Sequence, residues 1–105
     1  MQNQRKEQEL LKKVELASAV YYCEKKKPYP NNETNEDYQM RRNRIEAERQ
    51  NLELTEIRAK QGGLTEEAIR EARDVGEAKG RRSVAEDMAS GDYRIHCDSY
   101  YFTED

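Results

Sequence analysis

The sequence predicts a small, mainly α-helical protein of three to four helices that ends in an extended C-terminal arm. Three observations support this. Apolar residues recur at helical spacing through most of the 105-residue chain, capping residues and glycines interrupt that spacing at matching places, and period-two alternation appears only after Gly91. One domain is expected, because a chain of this length has room for a single core.

The first element is an amphipathic helix over residues 3–27, within an N-terminal region 1–27. Leu10, Val14, Ala17 and Tyr21 are spaced by four, three and four, and Leu11 and Tyr22 widen the stripe. Lys25, Lys26 and Lys27 close its last turn, where positive charge complements the helix dipole. Pro28 and Pro30 prevent continuation, so residues 28–35 read as a linker.

A second helix begins at Thr34 or Asn35, either of which can cap it, with Glu36 and Asp37 in the first turn. It runs to about Lys60. Tyr38, Ile45, Leu52 and Ala59 recur every seven residues, and Met40, Ala47 and Leu54 form a parallel row about half a turn away. Two thin stripes let this helix touch neighbours on two sides. Arg41, Glu48 and Thr55 stand where a strong coiled coil would place leucine, so self-association through Tyr38, Ile45, Leu52 and Leu54 is allowed without being demanded.

Gln61-Gly62-Gly63 ends the second helix, and a third is expected over 66 to about 79. Thr65 caps it, Glu66 and Glu67 occupy its first turn, and Leu64 and Ile69 hold the two positions of a hydrophobic staple. Its apolar residues Ala68, Ile69, Ala72 and Val75 are small. They predict close packing on the preceding helix, making residues 36–80 a charged helical hairpin. Gly76 and Gly80 weaken its far end, and Ser83 with Glu86 matches a capping box, which predicts a short fourth helix at 83–90 within the segment 81–91. Beyond it Tyr93, Ile95 and Cys97 alternate with Arg94, His96 and Asp98, the period of a half-buried strand, so residues 92–105 read as an arm.

Composition narrows the function classes. Charged residues make up 39% of the chain, mean hydropathy is −1.29, and Leu, Ile, Val and Phe together supply only fifteen side chains. So few large apolar groups predict a marginal fold completed by self-association, as in a dimer, or by a partner. Residues 86–105 hold six acidic groups against Arg94 alone, and the net charge is −3. Gripping phosphate backbones needs a concentrated basic face, which this balance does not supply. No apolar run approaches the roughly 20 residues that span a bilayer, so no membrane role is expected. Two distant cysteines and a charged N-terminal helix without an apolar signal core predict a reduced, cytoplasmic protein.

Chemistry-bearing motifs are weak. Cys23, His96 and Cys97, with Asp98 nearby, lack the paired short spacing of zinc sites, so neither metal nor cofactor is expected. Adjacent strand residues point to opposite faces, which argues against His96 activating Cys97. The glutamates 46, 48, 53 and 56 are interleaved with Arg42, Arg44, Arg49, Arg58 and Lys60 in the pattern of a solvated face. No catalytic residues are assigned, and the chain is read as a non-enzyme.

The C-terminal arm is the strongest interaction signal. Tyr93, Ile95, Asp98, Tyr100, Tyr101 and Phe102 combine aromatic contact area with acidic charge, which suits a partner with a basic groove. The expected function is a protein–protein interaction module, an adaptor or inhibitor that occupies a partner's surface sterically and electrostatically. The alternative is a nucleic-acid-associated accessory factor of DNA-packaging or regulatory type. It would use Lys25, Lys26, Lys27, Arg41, Arg42 and Arg44 around the linker, with Tyr29 and Tyr38 as stacking rings.

Residues 38–72, with Leu52-Glu53-Leu54 and with Gly63-Leu64 before an acidic helix start, resemble the charged helical segment that follows the winged-helix domain in phage terminase small subunits. This covers about a third of the chain. The family's DNA-binding helix-turn-helix is missing. The resemblance therefore implies a phage or mobile-element accessory protein and carries no DNA-binding role with it.

Overall fold

In a computed structural model, residues 2–26 and 33–90 are described, with side chains described over 5–26 and 33–86. They form three helices, α1 (Gln2–Lys26), α2 (Asn35–Gln61) and α3 (Glu66–Ser90), and no strand occurs among them. The mainly α reading therefore holds. The arm 92–105 lies outside the described residues, as do Lys27 and most of the linker.

The helix ends form as the local sequence dictates. The Thr34 hydroxyl accepts from the Asp37 backbone N–H at 3.1 Å, and the Asp37 carboxylate accepts from the Thr34 N–H at 3.4 Å, a reciprocal capping box. At the other end of α2, the Leu64 N–H reaches the Ala59 carbonyl and the Gly63 N–H reaches the Lys60 carbonyl, both at 3.1 Å. This is the Schellman pattern, and Gly63 adopts the φ of +99° that it requires of a residue without Cβ. Thr65 then caps α3 by accepting from the Ala68 N–H at 3.1 Å. Leu64 packs against the buried cluster that contains Ile69, in keeping with a hydrophobic staple.

Two expectations need correction. There is no separate fourth helix among the described residues, because α3 continues unbroken through Gly76, Gly80 and Ser83 to Ser90. Ser83 is buried in the helix interior and caps nothing. Nor does α3 pack chiefly on α2. Its main neighbour is α1, and α2 likewise rests mostly on α1. The expected hairpin is therefore two helices joined by a tight turn and leaning on a common third.

The glycines explain both corrections. A Cβ at Gly76 would overlap the Glu15 carbonyl oxygen and lie 2.8 Å from the Ser18 Cβ, and one at Gly80 would lie 2.8 Å from the Ala19 carbonyl oxygen. Here glycine lets α3 approach the α1 backbone, and that packing outweighs its roughly 1 kcal/mol helix penalty. The Ser18 hydroxyl donates to the Arg73 carbonyl at 2.7 Å, and the Cys23 thiol to the Gly80 carbonyl at 3.7 Å. Contacts advance in step along both chains, so α1 and α3 run parallel. Leu10 meets Gly62 and Glu24 influences Glu48, so α1 and α2 run antiparallel.

Two apolar clusters result. Near the α2–α3 turn, Val14, Ala59, Ile69 and Ala72 are buried together with Leu10, Leu11 and Leu64 around them. Farther along, Ala19, Cys23 and Val84 form a smaller one, with Leu16, Val20 and Tyr22 packed against it. Both are built largely from small residues, in keeping with the shortage of large aliphatic side chains.

Candidate interaction surfaces

Because α2 and α3 both lean on α1, a groove of about 410 Å³ opens between them close to their connecting turn. Ile57 and Ile69 supply its apolar lining. Glu53 and Glu56 come from the α2 wall and Arg70 and Arg73 from the α3 wall. Two ion pairs span the walls: the Arg73 guanidinium donates to Glu56, with Nε at 2.9 Å, and the Lys60 ammonium donates to Glu66 at 2.8 Å. The second pairing raises the Lys60 pKa and lowers that of Glu66, chiefly through the hydrogen bond itself.

The two stripes of α2 part company in the fold. Leu52 and Ala59 are buried and Ile45 is half-buried, whereas Tyr38 is exposed at the helix start. The other row faces water, with Met40 at 60% and Leu54 at 51% exposure, and Ile57 at 47% beside it. Of the residues expected to support self-association, Leu54 and Tyr38 are accessible and Leu52 is spent within the chain's own core.

The basic cluster is largely engaged internally. Arg41 is half-buried and grips the Glu33 carboxylate, with Nε at 3.0 Å from Oε2 and Nη2 at 3.1 Å from Oε1. The Arg42 guanidinium donates to the Tyr38 hydroxyl at 3.0 Å, and both Arg41 and Arg42 lie within 5.7 Å of the Tyr38 ring centre. Lys25 sits over the Tyr21 ring at 4.8 Å. Lys26 and Arg44 are exposed. Lys27 and the aromatic residues Tyr93, Ile95, Asp98, Tyr100, Tyr101 and Phe102 lie outside the described residues, as do His96 and Cys97.

On the outer surface Arg49 pairs with Glu46 at 2.6 Å, which raises the guanidinium pKa and lowers that of Glu46. Where α1 meets the N-terminal half of α2, the electrostatics have the opposite sign. Burial raises the Glu48 carboxyl pKa, and the Glu24 carboxylate on α1 adds to the effect. Glu24 extends the stripe of Leu10, Val14, Ala17 and Tyr21, and Glu48 sits three residues after Ile45 on the inward face. Both placements were readable from spacing alone. Sequence reasoning treated Glu48 as part of a solvated face because it weighed residue type above register, and it assigned Glu24 no place.

Among the described residues no three His, Cys, Asp or Glu side chains converge as a metal-binding group, and no helix is long and apolar enough to cross a membrane. No protein-family model matches the chain, and no curated protein or solved structure is similar to it.

Proposed function

We propose that the chain is a non-enzymatic protein-binding module, an adaptor or inhibitor that works by occupying a partner's surface. The observation behind this reading is the exposure of Met40, Leu54 and Ile57 along a helix whose other outward positions are mostly charged or polar. Large apolar groups held in water by a rigid helix favour association, because burying each removes apolar area from solvent. The aromatic and acidic residues 92–105 extend the same chemistry in the sequence.

Capture from the native host with the full chain as bait, followed by direct titration of the captured protein, tests the reading. The double substitution Met40→Glu and Leu54→Glu should weaken binding at least about tenfold, or about 1.4 kcal/mol. Removal of residues 92–105 should weaken it further. Unaltered affinity in both variants defeats the proposal. Binding to DNA or RNA that falls steeply with salt would favour the accessory-factor reading instead, although Arg41 and Arg42 already have partners of their own.

A further inference from the structure

The outward row of α2 is symmetric about Ala47. Met40 and Leu54 stand seven residues before and after it, and all three are exposed. Leu54 follows the buried Leu52 by two residues, about 200° around the helix, so the row faces away from α1. Asn43 and Asn51 stand four residues to either side of Ala47, and Glu36 and Arg58 eleven. These four side chains are exposed too. Neither Glu36 nor Arg58 makes an ion pair among the described residues. One face of α2 therefore alternates apolar and amide positions between a free anion at one end and a free cation at the other.

We propose that this face is the seam of a homodimer, in which α2 pairs antiparallel with α2 of a second copy about a two-fold axis at Ala47. The proposal rests on the reading of the exposed row as a protein-binding surface and names its occupant. A two-fold axis makes an interface self-complementary, so that residue i of one copy meets residue j of the other and j meets i. Centred on Ala47, antiparallel pairing sets Met40 against Leu54 of the second copy, Asn43 against Asn51, and Glu36 against Arg58, each of them twice. Arg44, on the flank, meets the uncharged Gln50. The small Ala47 side chains at the axis let the two helices approach closely.

Charge decides the orientation. A parallel pair in register would oppose Glu36 to Glu36 and Arg58 to Arg58, and like charges set against each other across an interface are disfavoured. Antiparallel pairing turns both into attractions. The carboxylates beside the row do not upset this balance, because Glu46 and Glu53 are already paired with Arg49 of their own helix.

Sedimentation equilibrium of the purified full chain, over about 10 μM to 1 mM, should show reversible dimerisation. Glu36→Arg and Arg58→Glu should each weaken the dimer about tenfold, and the double variant should regain the parent's affinity, because exchanging both charges restores the pairing. Register is read by cross-linking in a Cys97→Ser background. Ala47→Cys should form a disulfide-linked dimer on mild oxidation. Met40→Cys should not link to itself, since the two sites lie about 21 Å apart, but should link when mixed with Leu54→Cys. A chain that stays monomeric throughout overturns the dimer and leaves the broader protein-binding reading to its own titration, because no other protein is present in this experiment. A double charge variant no better than either single one, or Met40→Cys linking to itself, overturns the antiparallel seam.

Discussion

The two seams of α1 are built on opposite principles. Along α3 the backbones nearly touch: Gly76 and Gly80 admit the carbonyls of Glu15 and Ala19, and Ser18 and Cys23 reach across to main-chain oxygens. Along α2 the spacing is filled by longer side chains, with Leu52 and Ala59 buried at one end and Arg41 and Glu48 half-buried at the other. The first seam fixes a geometry that has no room for a methyl group. The second tolerates charge, and the exposed apolar row of Met40 and Leu54 belongs to the helix that forms it.

Substitution at the tight seam should have the largest effect. Gly76→Val must push its side chain into the backbone of α1, and urea denaturation should show a loss of about 3 kcal/mol or more despite the better helix propensity. A variant as stable as the parent would remove the basis for calling this seam rigid. Leu52→Ala should destabilise by less, about 2 kcal/mol, since Leu52 is the largest apolar side chain that α2 buries. If its loss exceeded that of Gly76→Val, the ranking of the two seams would be inverted.

A finer measurement stays within the tight seam. Ser18→Ala removes a hydrogen bond to the Arg73 carbonyl and should lower stability by about 1 kcal/mol. Ser83→Ala removes a buried hydroxyl that has no hydrogen-bond partner among the described residues, so it should leave stability unchanged or raise it slightly. Equal losses from the two substitutions would show that volume and not hydrogen bonding governs this interface.

The ion pairs between α2 and α3 add little to this picture. Exposed pairs such as Lys60–Glu66 are screened by salt and rank well below packing as determinants of the fold. They do close the turn end of the groove, and they hold two helices that otherwise touch sparingly.

Local chemistry in the sequence was enough to determine the helices and their ends. Thr34 and Thr65 were readable as caps, Gly63 as the residue that ends α2, and Leu64 with Ile69 as a staple, because each satisfies backbone groups or packs within a few residues of itself. The two heptad rows of α2 were legible too, since their spacing is a property of one helix, but not that Leu52 and Ala59 would be buried within the chain's own core. Only the tertiary structure decided which helices become neighbours, and there local signals misled. Gly76, Gly80 and the Ser83-x-x-Glu86 pattern look like a break when α3 is considered alone, and they become a continuous helix once the backbone of α1 fills the space that the missing side chains leave. The same holds for Glu24 and Glu48. A glutamate is solvated by default, and only the approach of a second helix withdraws it from water and sets it against another of its kind.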